Sequence, residues 1–248
     1  MSIATTHTTM TAPDPLEMPG PVVRVPSLDE IDRLTDVPDR RVVFRGVDWA
    51  FYERMVDSIP EGSNTHVDYD GRDLEVMGKG PNHEKINRRL DRLIAFITEE
   101  WDIDFTGLGE TTWKRQQVAR GLESDQCYYF LPEKLAQEAA ASQRGSDDIA
   151  DYPNPDLAIE VDISRPQVDR AGIYAALRVA EVWRFDGDQL IIERLTPEGK
   201  YAAVQASGFL PVRAEEIRRW ILEDPRSERD WVRWARGEIR RKRGGEPR

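Results

Sequence analysis

Cysteine is all but missing from this chain: 248 residues contain one, Cys127. An intramolecular disulfide is therefore impossible, and a cysteine-based zinc finger is excluded. Long apolar runs are missing too. No stretch approaches 18 consecutive apolar residues, so no helix is expected to span a bilayer. The segment Met1 to Ala12 carries Thr and Ser but no basic n-region and no Leu-rich h-region. It is not expected to act as a secretory signal, and the expected address is the cytoplasm. Basic charge is in the minority: 35 Lys+Arg face 46 Asp+Glu, a formal net charge of -11. That argues against coating nucleic acid by bulk attraction, but leaves room for an enzyme that meets DNA through a local basic surface.

What is present is length and an ordinary globular balance, with 39% hydrophobic and 33% charged residues. Such a chain can bury a core without disulfides and suits one full domain with a small appendage. Residues 1–38, rich in Pro, Thr and Asp, read as a mobile arm. Residues 39–212 read as the main domain and 213–248 as a helical extension with a basic tail.

Within the main domain, Arg40 to Phe44 predicts a first strand, and Asp48 an N-cap for a short helix carrying Trp49, Tyr52 and Val56. Val67, Tyr69, Leu74 and Val76 alternate around Asp70-Gly71, a strong hairpin signal. Asn82 is the expected N-cap of a long helix to about Glu100, whose Ile86, Leu90, Leu93, Ile94 and Ile97 recur at helical spacing. Strands follow near 105–108, 111–115 and 123–130, then a helix near 135–141 and a loop over 144–155. The strand 156–163 precedes a helix over 173–179 and a second hairpin around Asp186-Gly187. A further strand near 201–204 and two helices, 213–223 and 227–242, close the chain. The order predicts an α+β, or mixed α/β, sheet with helices on its faces.

The strand Asp156-Leu157-Ala158-Ile159-Glu160-Val161-Asp162-Ile163 is the most informative. Alternation puts Leu157, Ile159, Val161 and Ile163 on a core face and Asp156, Glu160 and Asp162 on the other. Adjacent like charges destabilise the fold unless neutralised. A divalent cation would do so, and hard oxygen ligands suit Mg²⁺ or Mn²⁺. The other reading is a face that looks at solvent, as half-exposed strands do. Asp125, ahead of Cys127-Tyr128-Tyr129-Phe130, is either a further acid at a strand mouth or a turn residue.

Several segments occur together in order: Tyr69-Asp70-Gly71 with Leu74-Glu75-Val76-Met77, Asn82-His83-Glu84, and Gly109-Glu110-Thr111-Thr112-Trp113. They continue with Glu123-Ser124-Asp125, Asn154-Pro155-Asp156 leading to Glu160, and Ile173-Tyr174-Ala175 leading to Glu181-Val182-Trp183. In these the chain, over about 40–235, resembles the Uma-two family of restriction-endonuclease-like proteins in the PD-(D/E)XK nuclease superfamily. The resemblance implies a central mixed sheet with flanking helices and an edge that binds a divalent metal. It implies Asp125 and Glu160 as metal ligands, Asp162 as a second-site or outer ligand, and a basic residue at Arg170. His83 matches a His typical of the family. Two departures stand out: Ser124 replaces the usual Pro, and Arg170 replaces Lys. Arg keeps its charge and can clamp a phosphate, but it cannot act as a general base.

The expectation is a Mg²⁺- or Mn²⁺-dependent endonuclease on DNA, with Asp125, Glu160, Arg170 and His83 in catalytic roles. Cutting both strands favours a homodimer. The alternative is a catalytically inactive nuclease fold that binds nucleic acid or protein. Glu84 is expected to pair with Arg88 at i, i+4. Candidates for phosphate contact are Arg88, Arg89 and Arg92, then Lys114, Arg115 and Arg120, and the tail Arg240-Arg241-Lys242-Arg243. Residues 213–248 hold 12 Lys+Arg against 8 Asp+Glu, a local net of +4. A solvated helix end explains that tail equally. Trp231 and Trp234, three apart, mark packing or a dimer contact.

Overall fold

A computed structural model of the chain describes residues 40–60, 63 and 65–245. The expected N-terminal arm lies outside the described residues. No described helix is long and apolar enough to cross a membrane.

Two sheets carry the fold. The first contains β1 (Arg41–Phe44), β2 (Thr65–Tyr69), β3 (Leu74–Gly78), β5 (Thr111–Arg115) and β6 (Arg120–Ser124). Its order is β1-β3-β2-β6-β5, and every pairing is antiparallel. The second contains β4 (Thr106–Gly107), β7 (Gln126–Tyr129), β8 (Leu157–Val161), β9 (Glu181–Phe185), β10 (Leu190–Leu195) and β11 (Tyr201–Val204). Its order is β11-β10-β9-β8-β7-β4, with β8 and β9 parallel and the other pairs antiparallel. The mixed α+β architecture is the expected one.

The β2–β3 hairpin turns where its sequence requires. Gly71 sits at φ +93°, a conformation that side chains disfavour, and Asp70 Oδ1 accepts from the N–H groups of Arg72 and Asp73. Asp48 caps α1 (Trp49–Ser58) by accepting from the Phe51 N–H at 2.8 Å. The long helix α2 (Pro81–Trp101) is capped by Gly80, so Asn82 falls inside it. Pro81 explains the shift, since a ring without an N–H is well placed in the first turn.

The apolar stripe of α2 packs with Leu157, Ile159 and Val161 of β8, and with Trp183 and Phe185 of β9. The closing helices α5 (Ala214–Leu222) and α6 (Glu228–Gly245) join this core through Trp220 and Trp231. Each such buried side chain stabilises the fold by about 1.5–3 kcal/mol. Ala158, on the opposite face of β8, belongs to another core with Trp113, Cys127, Tyr129, Ile173 and Tyr174. Both faces of β8 are thus buried, and its acids do not look at solvent.

One expected strand divides. Residues 123–130 are not continuous: β6 ends at Ser124, β7 begins at Gln126, and the two belong to different sheets. Asp125 stands at the crossing. Its Oδ2 accepts the Val161 N–H at 2.7 Å, a side chain taking the place of a ladder carbonyl. The remaining helices are α3 (Pro132–Gln143) and α4 (Arg170–Ala176).

Candidate active site

Strand alternation gives the first sheet two unlike faces. Val67, Tyr69, Leu74 and Val76 enter a core with Phe51, Tyr52 and Met55. His66, Asp68 and Glu75 take the other side, and Asp68 stands opposite Glu75 in the β2–β3 register. All three are about 1% exposed. The second sheet supplies Glu160 from β8 and Asp162 just beyond it, also buried. Five buried carboxylates thereby meet at the seam between the sheets, Asp125 among them.

Arg170 joins the two halves. It opens α4, which Asp169 caps by accepting from the Gly172 N–H at 2.9 Å. Its Nε donates to Asp68 Oδ2 at 2.6 Å. Its Nη1 donates to Glu160 Oε2 at 2.7 Å and to Asp162 Oδ1 at 2.8 Å. Burial disfavours the cation, but Asp68, Glu160 and Asp162 together hold it charged well past its ordinary range. Arg41 of β1 adds a second guanidinium, which bonds Glu75 and reaches Asp162 at 3.2 Å. The Tyr174 hydroxyl donates to Glu160. Burial pushes the Glu160 carboxyl well above the usual range. Arg170 opposes this, and the charges of Asp125, Asp162 and Asp68 add to it.

Asp125 has its own cations. Lys79 Nζ lies 2.6 Å from Oδ1, and His83 Nε2 lies 3.1 Å from Oδ2. Burial works against the carboxylate, but Lys79 and then His83 more than offset it and hold its pKa far below the ordinary value. Lys79 also donates to Glu110 Oε1 at 2.9 Å. Burial alone would weaken its charge, yet Asp125 and Glu110 raise it, so Lys79 stays an ammonium. The other His83 nitrogen faces Glu84 at 3.2 Å, so Glu84 serves His83 where a pair with Arg88 was expected.

Two hollows border these elements. A cavity of about 340 Å³ is lined by Glu110, Glu123, Thr65 and Thr112. A more open groove of about 610 Å³ runs past Asp162, Arg165 and Arg184.

All five residues singled out from the sequence lie in this seam: Glu160, Asp162 and Arg170 in direct contact, and Asp125 with His83 one peptide unit away. Asp156 does not join them. Its carboxylate accepts from the N–H groups of Phe130 and Leu131 and faces Lys134 at 2.8 Å, a structural anchor. Sequence reasoning missed Asp68, Glu75, Lys79 and Arg41. The signal for the first two was the polar complement of the alternation that revealed the hairpin.

The expected phosphate contacts fare differently. Arg89 is buried, donates to the Ile221 and Glu223 carbonyls and lies 4.9 Å over the Trp231 ring. Arg92 pairs with Glu228, and Arg115 donates to the Ile149 and Tyr152 carbonyls. In the tail, Arg240 meets Glu100 at 3.5 Å, Arg241 meets Glu238, and Lys242 meets Glu216 at 2.8 Å. Much of the basic sequence therefore holds the chain to itself. Trp231 is fully buried and Trp234 packs against the same core, so the pair marks packing.

A family model for Uma2, described as "Putative restriction endonuclease", matches residues 49–222. Among solved structures, the chain is similar to "a putative nuclease belonging to DUF820" from Anabaena variabilis ATCC 29413. That likeness has a TM-score of 0.47 and 14% sequence identity, over 71% of this chain and 99% of the other. No curated protein matches the chain.

Proposed function

Because the chain belongs to the Uma2 family, whose description is that of a restriction endonuclease, we propose that it is a metal-dependent endonuclease hydrolysing phosphodiester bonds in DNA. Charge at the seam carries this reading. Five buried carboxylates, Asp68, Glu75, Asp125, Glu160 and Asp162, face three cations, Arg41, Lys79 and Arg170. With Glu160 ionised, which its burial opposes and a bound cation would favour, two negative charges are left over, the charge of one dication. The donors are hard oxygens, as Mg²⁺ or Mn²⁺ requires. Asp125 and Glu160 would hold the ion, with Asp162 beside them. Such an ion, when bound, supplies charge stabilisation and an acidified water.

The protein's own groups do the rest. His83 orients Asp125 through its 3.1 Å contact. Arg170 binds the scissile phosphate by exchanging part of its present contacts, which include Nη2 at 2.6 Å from Asp68 Oδ2, for a phosphate oxygen. Lys79 and Arg170 both stay charged, so neither takes a proton from water. The proton goes to a carboxylate or to His83. The strand approaches along the groove past Asp162 and Arg165. Cutting a duplex on both strands calls for two copies related by a two-fold axis.

One observation favours the alternative of an inactive nuclease fold: the chain's own cations already occupy these acids. Plasmid nicking separates the two. With Mn²⁺ or Mg²⁺, wild type should convert supercoiled DNA to open circles, and Glu160→Gln should lose roughly a hundredfold or more while keeping its circular dichroism. Equal nicking by both proteins refutes the reading. Binding of DNA without nicking by wild type supports the inactive fold.

A further inference from the structure

We propose that His66, Glu110 and Glu123 form a further site for a dication of the zinc class. It lies on the first sheet, where Lys79 stands between Glu110 and Asp125, and the inference does not depend on the nuclease reading. His66 comes from β2 and Glu123 from the neighbouring β6, while Glu110 immediately precedes β5. Their ligand atoms all lie within 4.8 Å of one another.

The imidazole is the observation that points to an ion. His66 is 1% exposed, yet neither ring nitrogen makes a hydrogen bond among the described residues. A buried polar ring without an aligned hydrogen bond is unfavourable and calls for an explanation. Nε2 is aimed at two carboxylates, 3.1 Å from Glu123 Oε1 and 3.9 Å from Glu110 Oε2. The nearer oxygen is close enough for a hydrogen bond but not aligned for one. Those separations are of the size found between neighbouring ligands of one ion: bonds of ~2.0–2.1 Å in a tetrahedron set them roughly 3.3 Å apart.

The surroundings agree. The other Glu110 oxygen accepts from Lys79 at 2.9 Å, an outer partner of the kind that orients metal-bound carboxylates. Glu110 and Glu123 line the cavity of about 340 Å³, which has room for a water or anion as a further ligand. Two carboxylates match a dication in charge, and the imidazole adds a nitrogen donor. The nitrogen donor favours zinc over magnesium.

Equilibrium dialysis of the metal-stripped full chain against Zn²⁺, read by elemental analysis, tests the site. A Glu160→Gln/Asp162→Asn chain, which removes two of the three seam ligands and leaves only Asp125 with Lys79 and His83, should still bind one Zn²⁺. Adding His66→Gln to that chain should weaken binding about 10–100-fold, as should adding Glu123→Gln, a more exposed change that keeps the test open if the first chain misfolds. Co²⁺ in place of Zn²⁺ should give visible absorption bands that depend on His66. Unchanged binding in the His66→Gln and Glu123→Gln chains would overturn the proposal. Loss of all Zn²⁺ binding with Glu160→Gln/Asp162→Asn alone would do so too.

Discussion

Replacing Arg170 by Met deletes one charge and keeps most of the stem's volume. Arg170 is 3% exposed and touches Asp68, Glu160 and Asp162 at 2.6–2.8 Å. Removing it leaves three buried carboxylates without their shared cation. Breaking a buried ion pair from one side costs about 3–5 kcal/mol, and one cation shared by three acids puts the loss in the upper part of that range. At roughly 2–4 °C per kcal/mol for a globule of this size, a loss of about 4–5 kcal/mol should lower the melting temperature by about 8–20 °C. Arg170→Lys should recover only part, because one ammonium cannot span three acids as a planar guanidinium does. The decisive chain carries Arg170→Met with Asp68→Asn, Glu160→Gln and Asp162→Asn. With the charges gone on both sides it should regain most of the lost stability. Urea unfolding followed by tryptophan fluorescence measures each variant. A loss below about 1 kcal/mol for Arg170→Met, or no recovery in the combined variant, would refute the view that the seam is a charge-neutralised unit.

Other perturbations probe the packing around that seam. A Cβ at Gly121 would overlap the buried Tyr52 hydroxyl, which stacks on Tyr69, so Gly121→Ala should lose about 1–3 kcal/mol in the same urea assay. Cys127 is 1% exposed, donates to the Gly109 carbonyl at 3.5 Å and has its thiol pKa pushed up by burial. At pH 8 it should resist iodoacetamide until urea unfolds the chain; fast labelling of the native protein would contradict its placement. Trp231→Ala removes a ring covered by Arg89 and an indole N–H bonded to the Trp220 carbonyl at 2.9 Å, and should cost about 3–5 kcal/mol. Survival of that variant at wild-type stability would mean that the C-terminal helices are not part of the cooperative core.

Local chemistry made much of the fold legible. The hairpin glycines Gly71 and Gly187 sit at φ +93° and +98°, so Asp-Gly marked both turns for a physical reason. The period of α2 was visible because its apolar residues meet one core. The break at Asp125 was not visible: the β-prone composition runs on through it, and the change of sheet is a tertiary event. Strand alternation drew attention to Glu160 and Asp162, and the strand mouth to Asp125, whereas Arg170 and His83 entered only through the family resemblance. Arg41 was not, because its partner Asp162 is 121 positions away and nothing near Arg41 signals an acid. Arg89 read as a surface cation because helical spacing says nothing of the helix that later covers it. The acids of β8 posed the right question, namely what neutralises them. Within the fold part of the answer is Arg170 and Arg41, a pairing that strand alternation cannot supply.

The guanidinium of Arg170 fastens Asp68 of one sheet to Glu160 and Asp162 of the other. An anion or ion that recruits any of these groups must redistribute the contacts that latch the two halves. Occupancy and seam compliance are then linked variables, each biasing the other by the same free energy. Amide protons of β2 and β8, on opposite banks of that joint, should register a ligand as changed exchange protection, and mechanical loosening of the joint should in turn alter how firmly the ligand is held.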